Sequence, residues 1–474
     1  MRMKIAIPEY PSKYTGTASC PYGPASTIEG FDVLDKKYRI SPFPYFKWLN
    51  SNSPVYKPFD DQELYVISTY QYVRDALHSP EIFSSEPFEG KKFPLILSLD
   101  DPDHKRIRNI VQSAFTPRAM EKLTPLIDQI CDDHTTKLLK SGSCDLITTW
   151  ALPIALKATG VMTGVSVENI NDLTRWATSC AKFFFPASGA LYEPGSKEAS
   201  TIEKLKLAPS IIKMLMRIGI KQSFSLINMV RTLSSKPEKR ESPTLLLTAD
   251  RVALAKDIIE FLSYLGRITK NRRSKPQNEV LDMLISAQGK SNVSDAELML
   301  SLAFIIIAGY VTTMCALGSG VKVLCDQPEL FRYLKSNPDK INEFIDEILR
   351  MFAPANRIMR RCKKEITIGG ITIPKNAQVS LMLGAANWDS SIFPDTDTLD
   401  LQRTNIQQHL AFGSGPHHCL GRHLAQLEME TAFRLLLERS EAIELDLSIP
   451  PEMITDIGAG VFGYLHLGVN IKSK

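Results

Sequence analysis

The chain contains no pair of cysteines spaced as CxxC. Its eight cysteines, Cys20, Cys131, Cys144, Cys180, Cys315, Cys325, Cys362 and Cys419, are scattered singly. Iron–sulfur clusters and zinc ribbons need close-spaced ligand pairs, so neither is expected. No disulfide framework is evident, which fits a reducing compartment. An excess of charge of one sign is missing too: Lys+Arg 56 and Asp+Glu 52 leave a net +4. Nothing in that balance argues for a nucleic-acid partner. There is no Gly-rich loop of a flavin or nicotinamide domain, no internal repeat and no low-complexity tract. The N-terminal run MRMKIAIPEYPSKYTG lacks an apolar signal core, so the expectation is a cytoplasmic protein without a leader or anchor.

What is present describes a globular protein: 474 residues, 44% hydrophobic and 23% charged. Apolar spacing predicts helices over residues 70–78, 118–139, 167–182, 251–273, 295–324, 327–334, 341–352 and 422–439. Strand-like pieces are few, at 64–67, 366–368, 371–373 and 378–383, with a hairpin about Gly369-Gly370. The expectation is one mainly α domain over 1–474 with a small β portion. Residues 1–40 read as an N-terminal extension and 187–245 as a variable lid or insert. Residues 298–321 carry no charge and are long enough to span a bilayer. Ser301, Thr312, Thr313 and Ser319 interrupt them, which favours a buried helix through a large core. Residues 207–233 mix apolar residues with Lys213, Arg217, Lys221 and Arg231. Such a stretch either contacts a membrane surface or, by default, turns an apolar stripe to the core.

The most informative run is Phe412-Gly413-Ser414-Gly415-Pro416-His417-His418-Cys419-Leu420-Gly421. It sets one cysteine just ahead of the helix-like run 422–439, where the dipole and free N–H groups favour a thiolate. Gly413 and Gly415 permit a tight turn close to something flat. A lone cysteine is more often a small buried hydrophobe. A zinc site using His417, His418, Cys419 and His423 would need adjacent histidines to converge on one metal, with no second ligand pair nearby.

This run resembles the cysteine-loop signature of the haem-thiolate monooxygenases (cytochrome P-450), F-G-x-G-x-H-x-C-x-G. Phe412, Gly413, Gly415, His417, Cys419 and Gly421 fill every specified position. The resemblance runs from about Tyr70 to Leu467 and implies the helical-prism fold of the soluble bacterial type. It implies haem b (iron protoporphyrin IX) with Cys419 as the metal ligand. It also implies insertion of one atom of dioxygen into a small or medium organic substrate. Electrons would come from a separate ferredoxin or flavodoxin with its reductase, and the protein would be a monomer.

Other segments match the family piece by piece. Glu347 and Arg350 resemble its E-x-x-R pair, which is structural. The family adds a third, basic partner in a later loop, but Asp397-Thr398-Leu399-Asp400 has Thr398 where the cation belongs, and Arg403 is the substitute at hand. His104 and Arg108, in Asp101-Pro102-Asp103-His104-Lys105-Arg106-Ile107-Arg108, resemble the helix that binds one haem propionate, with Asp101 as the expected N-cap. The histidine stands one residue earlier than in the family pattern. Arg360 and His417 match the residues that bind the other propionate, although Arg361 competes with Arg360 for the register.

Ala308-Gly309-Tyr310-Val311-Thr312-Thr313 resembles the oxygen-binding groove A-G-x-[DE]-T-T. The resemblance makes Thr312 the catalytic proton donor, places Ala308 against the haem, and leaves Gly309 open to the substrate. Val311 stands where the family has an acid. That departure motivates a peroxide-using or otherwise atypical oxidase, or a non-catalytic haem-binding sensor, as alternatives. Asn356, Arg357, Phe304 and Phe462 are candidate substrate contacts, with Arg357 suited to a carboxylate or phosphate. Phe88 and Phe93 are further pocket-wall candidates, for which ordinary core packing is the simpler reading.

Overall fold

Segments with an apolar residue every three or four positions form helices at Tyr70–Leu77, Pro117–Ser141, Ile170–Phe184, Ala249–Ser274, Asp295–Asp326, Pro328–Ser336, Ile341–Met351 and Arg422–Arg439. The structure is a computed structural model that describes residues 2–4, 36–60, 62–87, 89, 95–165, 170–184, 249–277, 280–455 and 460–474. Phe88, Phe93, the insert 187–245 with its basic stretch 207–233, and most of the 1–40 extension lie outside the described residues.

Asp103–Val111 is the helix expected about His104 and Arg108, while Phe43–Asn52, Leu152–Met162 and Val280–Gly289 were not expected from periodicity. Leu152–Met162 shows why. It is buried almost all round, and a helix apolar on every side has no stripe to detect.

The central helix, Asp295–Asp326, starts at a capping box. Ser294 Oγ accepts from the Glu297 N–H at 3.2 Å, and the Glu297 carboxylate accepts from the Ser294 N–H at 2.8 Å. Its most apolar window is 78% buried inside the protein. It packs against Leu152–Met162, Ala249–Ser274 and Arg422–Arg439. It is therefore a core helix, as its interrupting Ser and Thr residues suggested.

The main sheet has five short strands in the order Val55–Tyr56, Leu64–Ile67, Gln378–Leu381, Ile358–Cys362, Phe83–Ser84. Only the Leu64–Ile67 and Gln378–Leu381 pair is parallel. The strand expected over 378–383 stops at Leu381 because Leu383–Ala386 turns helical. Ile366–Ile368 and Ile371–Ile373 form the expected hairpin about Gly369-Gly370. A second sheet joins Ser440–Leu445, Gly468–Ser473 and Ser143–Asp145. The result is the mainly α fold with a small β portion that the pattern led us to expect.

Candidate functional site

The cysteine loop is held by its own backbone. The Cys419 N–H donates to the Phe412 carbonyl at 2.9 Å, and the Gly413 N–H to the Leu410 carbonyl at 2.8 Å. Gly415 has φ +70°, and a Cβ added there would collide with the Leu77 carbonyl oxygen. This glycine thus lets the loop pack beneath the end of helix Tyr70–Leu77. Cys419 is exposed, yet burial pushes its thiol pKa up. A side chain with both properties lies at the floor of a recess. Against burial act the Gly421 N–H, the Arg108 charge, and the N–H and charge of Arg422, all of which favour a thiolate.

Beside the loop is a cluster of bases short of acids. Arg108, on helix Asp103–Val111, donates from Nη2 to the His418 carbonyl at 2.8 Å. His104 is buried and stacks on His417, ring centroids 4.0 Å apart. Its Nδ1 faces the Asp101 carboxylate at 3.3 Å, and its buried Nε2 has no hydrogen-bond partner among the described residues. His417 Nε2 bonds the Ser85 hydroxyl at 2.9 Å, and burial, then Arg360 and His104, push its ring down to about 3. Arg360 is 5% exposed, and among the described residues its guanidinium bonds only the Met359 carbonyl. Burial drives its pKa down to about 10. Neither Arg108 nor Arg360 has an ion pair among the described residues.

Two acids lie close by: Asp101, which is exposed and faces His104, and Asp100, which is committed elsewhere. Burial alone would raise its carboxyl, but the Ser84 hydroxyl, the Ser85 N–H and Lys363 together hold it below the ordinary value. Buried cations without counter-charges are costly. This cluster therefore suits a ligand that brings two acid groups to a place beside a thiolate, as haem does. Strand alternation settles the register: Arg361 bonds the Glu86 carbonyl and the Asn376 side chain, leaving Arg360 to the cluster. Asp101 caps from one residue further back than expected. The helix starts after Pro102, and Asp101 Oδ1 accepts from the Lys105 N–H at 3.1 Å. Ser85, Asp100 and Lys363 had no sequence signal, since a short loop carries no periodicity.

Glu347 and Arg350 are both fully buried. Arg350 reaches the Glu347 carboxylate by two bonds, 2.7 Å from Nε and 3.1 Å from Nη2. It also donates to the carbonyls of Asn387, Thr396 and Thr398. Arg403 supplies the third member, its Nε 3.1 Å from Glu347 Oε1. Thr398 contributes only its carbonyl, which accepts from both arginines. Removing one partner of such a set costs about 3–5 kcal/mol, because the survivor is a buried unpaired charge.

On the central helix, every residue of 298–321 is buried except Phe304, Ala308, Gly309 and Thr312. These lie at i, i+4, i+5 and i+8, one face of the helix. Thr312 Oγ1 donates to the Ala308 carbonyl at 2.8 Å. Val311 is 5% exposed and lies off that face. An apolar crevice beside Phe304 is lined by Leu95, Ile258, Leu262, Ala303 and Ile307. Gly309 lies on this open face and also meets a neighbouring helix. A Cβ there would collide with the Thr159 methyl, so the glycine serves the contact with helix Leu152–Met162.

One other candidate is corrected. Phe462 is 4% exposed and packs among Phe43 and Phe352, at 5.5 and 6.3 Å between centroids. It is a core aromatic, not a pocket wall. Arg357 is buried, with its Cγ against Gly460. Asn356 is buried, and its Oδ1 has no partner among the described residues.

A family model described as Cytochrome P450 matches residues 206–457. The biotin biosynthesis cytochrome P450 of Bacillus subtilis is 26% identical over 427 residues, spanning 87% of this chain and 92% of that one. The 6-deoxyerythronolide B hydroxylase of Saccharopolyspora erythraea is also 26% identical, over 88% of this chain and 93% of its own length. Among solved structures, the cytochrome P450 CYP109Q5 of Chondromyces apiculatus superposes with a TM-score of 0.71 at 23% identity, covering 94% of this chain and all of that one, 100%.

Proposed function

For a chain that belongs to the cytochrome P450 family, and is a haem-thiolate monooxygenase of it, we propose that Cys419 is the proximal ligand of haem b and that the surrounding bases bind its propionates. Bound haem supplies the redox chemistry, activating dioxygen so that one oxygen atom enters an organic substrate. The observation that carries the assignment is the cluster of buried His104 and Arg360 with half-buried Arg108 and His417 beside the cysteine loop, in which neither arginine has an ion pair among the described residues. His104 and Arg108, one helical turn apart, take one propionate; Arg360 and His417 take the other.

Thr312 Oγ1 would hold and pass on a proton during oxygen activation, and its bond to the Ala308 carbonyl fixes the rotamer. Val311 neither donates nor accepts, so that proton comes through water in the recess. The hydroxylase relative supports oxygen insertion over a peroxide-using oxidase or a non-catalytic haem protein. The side chains beside Phe304, among them Leu95, Ile258 and Leu262, are apolar, which supports an apolar organic substrate on that side. Asn356 Oδ1 is a polar group available to orient it. Electrons come from a separate donor, a ferredoxin or flavodoxin with its reductase, to a cytoplasmic monomer.

The test is the carbon monoxide difference spectrum of the reduced protein. Wild type is expected to give the thiolate-type band and Cys419→Ala to lose it. Survival of that band in Cys419→Ala would overturn the assignment.

A further inference from the structure

The first residue of the helix after the cysteine loop is a half-buried arginine with no acid partner. Arg422 makes no ion pair among the described residues, and its buried Nε has no hydrogen-bond partner there. Its guanidinium lies over the Phe412 ring, 5.6 Å from the centroid. Its Nη2 donates to Gln407 Oε1 at 2.6 Å. Gln407 in turn donates from Nε2 to the Asp346 carboxylate.

Asp346 is 3% exposed, on helix Ile341–Met351 beside Glu347. Its other oxygen faces His409 Nε2 at 3.5 Å, and the His409 ring lies 5.8 Å from that of Phe412. A carboxylate only accepts, so it draws the NH2 end of the Gln407 amide and leaves the carbonyl end to face Arg422. Asp346 thereby fixes Arg422 through a neutral amide. A direct carboxylate would cancel the guanidinium charge; this arrangement leaves it uncancelled. Both the N–H and the charge of Arg422 act on Cys419 in the sense that favours a thiolate.

We propose that Arg422 is a positioning residue, clamped by Asp346 through Gln407, whose uncancelled charge tunes the Cys419 ligand and seats Phe412 at the start of its loop. This rests on the assignment of Cys419 as a haem ligand. Reducing a haem–thiolate site adds one negative charge to it, so a fixed cation nearby favours the reduced form. Arg422→Gln removes the cation and leaves a side chain able to bond Gln407. Gln407→Leu keeps the cation and frees it.

The experiment is a spectroscopic redox titration of the haem-loaded proteins, with the reduced carbon monoxide spectrum recorded for each. Arg422→Gln is expected to shift the one-electron equilibrium about tenfold toward the oxidised form, about 59 mV. Arg422→Lys is expected to recover most of that shift, and Gln407→Leu to lie between wild type and Arg422→Gln. Equal potentials for wild type and Arg422→Gln, with the thiolate-type spectrum intact, overturn the proposal and leave the ligand assignment standing. Absence of that spectrum from wild type overturns the ligand assignment instead. Should Arg422→Gln fail to take up haem, Gln407→Leu decides: a wild-type potential there overturns the clamp.

Discussion

His134 is 5% exposed on helix Pro117–Ser141, and burial, then the charges of Lys157 and Lys137, push its ring down to about 4. The folded protein therefore resists protonating this residue, while the unfolded chain protonates it at about 6.5. The native state binds fewer protons, so its contribution is full above pH 6.5 and is lost as pH falls toward 4, about 3 kcal/mol over the window. His134→Leu removes that dependence. Urea unfolding at a series of pH values is expected to show the variant gaining on wild type as pH drops; parallel profiles would sink the idea. At the same scale, an isolated residue type misled in both directions. Thr398 is not a cation, and the buried set still closes because Arg403, three residues past Asp400, reaches Glu347. Phe462 has the character of a pocket wall but completes an aromatic cluster, because ring contacts depend on partners far off in sequence.

Elements meet through small residues chosen by contact. Helix Leu152–Met162 crosses the central helix at Thr159 against Gly309. Gly309→Ala is expected to cost about 1–3 kcal/mol through overpacking, read as a lower urea midpoint. Adding Thr159→Ala should restore much of that loss, since the colliding methyl is gone. A double variant no more stable than Gly309→Ala would show that the glycine serves something other than this contact. Helices with one apolar stripe were legible in the sequence, among them Ile341–Met351, expected over 341–352. Leu152–Met162 was not, because burial on every side erases the period.

For the molecule as a whole, the binding site and the stability of the fold pull against each other. Arg360 is buried in the base cluster without an ion pair among the described residues, so it costs stability that the proposed dianionic ligand would return. Arg360→Met is accordingly expected to be more stable than wild type when both are stripped of haem, and less stable when both are loaded. Thermal melts of the four samples check this; the same sign in both states would refute it.

The sequence by itself determined that Glu347 and Arg350 share one helix face, where the periodic helices run, and the ten consecutive residues of the cysteine loop. Each is written in neighbours within a few turns, where spacing alone dictates which side chains share a face. Only the tertiary structure decided that Arg360 rather than Arg361 turns to the cluster, and that Arg403 stands in for Thr398. It also showed that Thr159 requires Gly309, and that Asp346 reaches Arg422 through Gln407. These are contacts between segments distant along the chain. Their geometry comes from strand pairing and helix crossings, which local pattern does not encode.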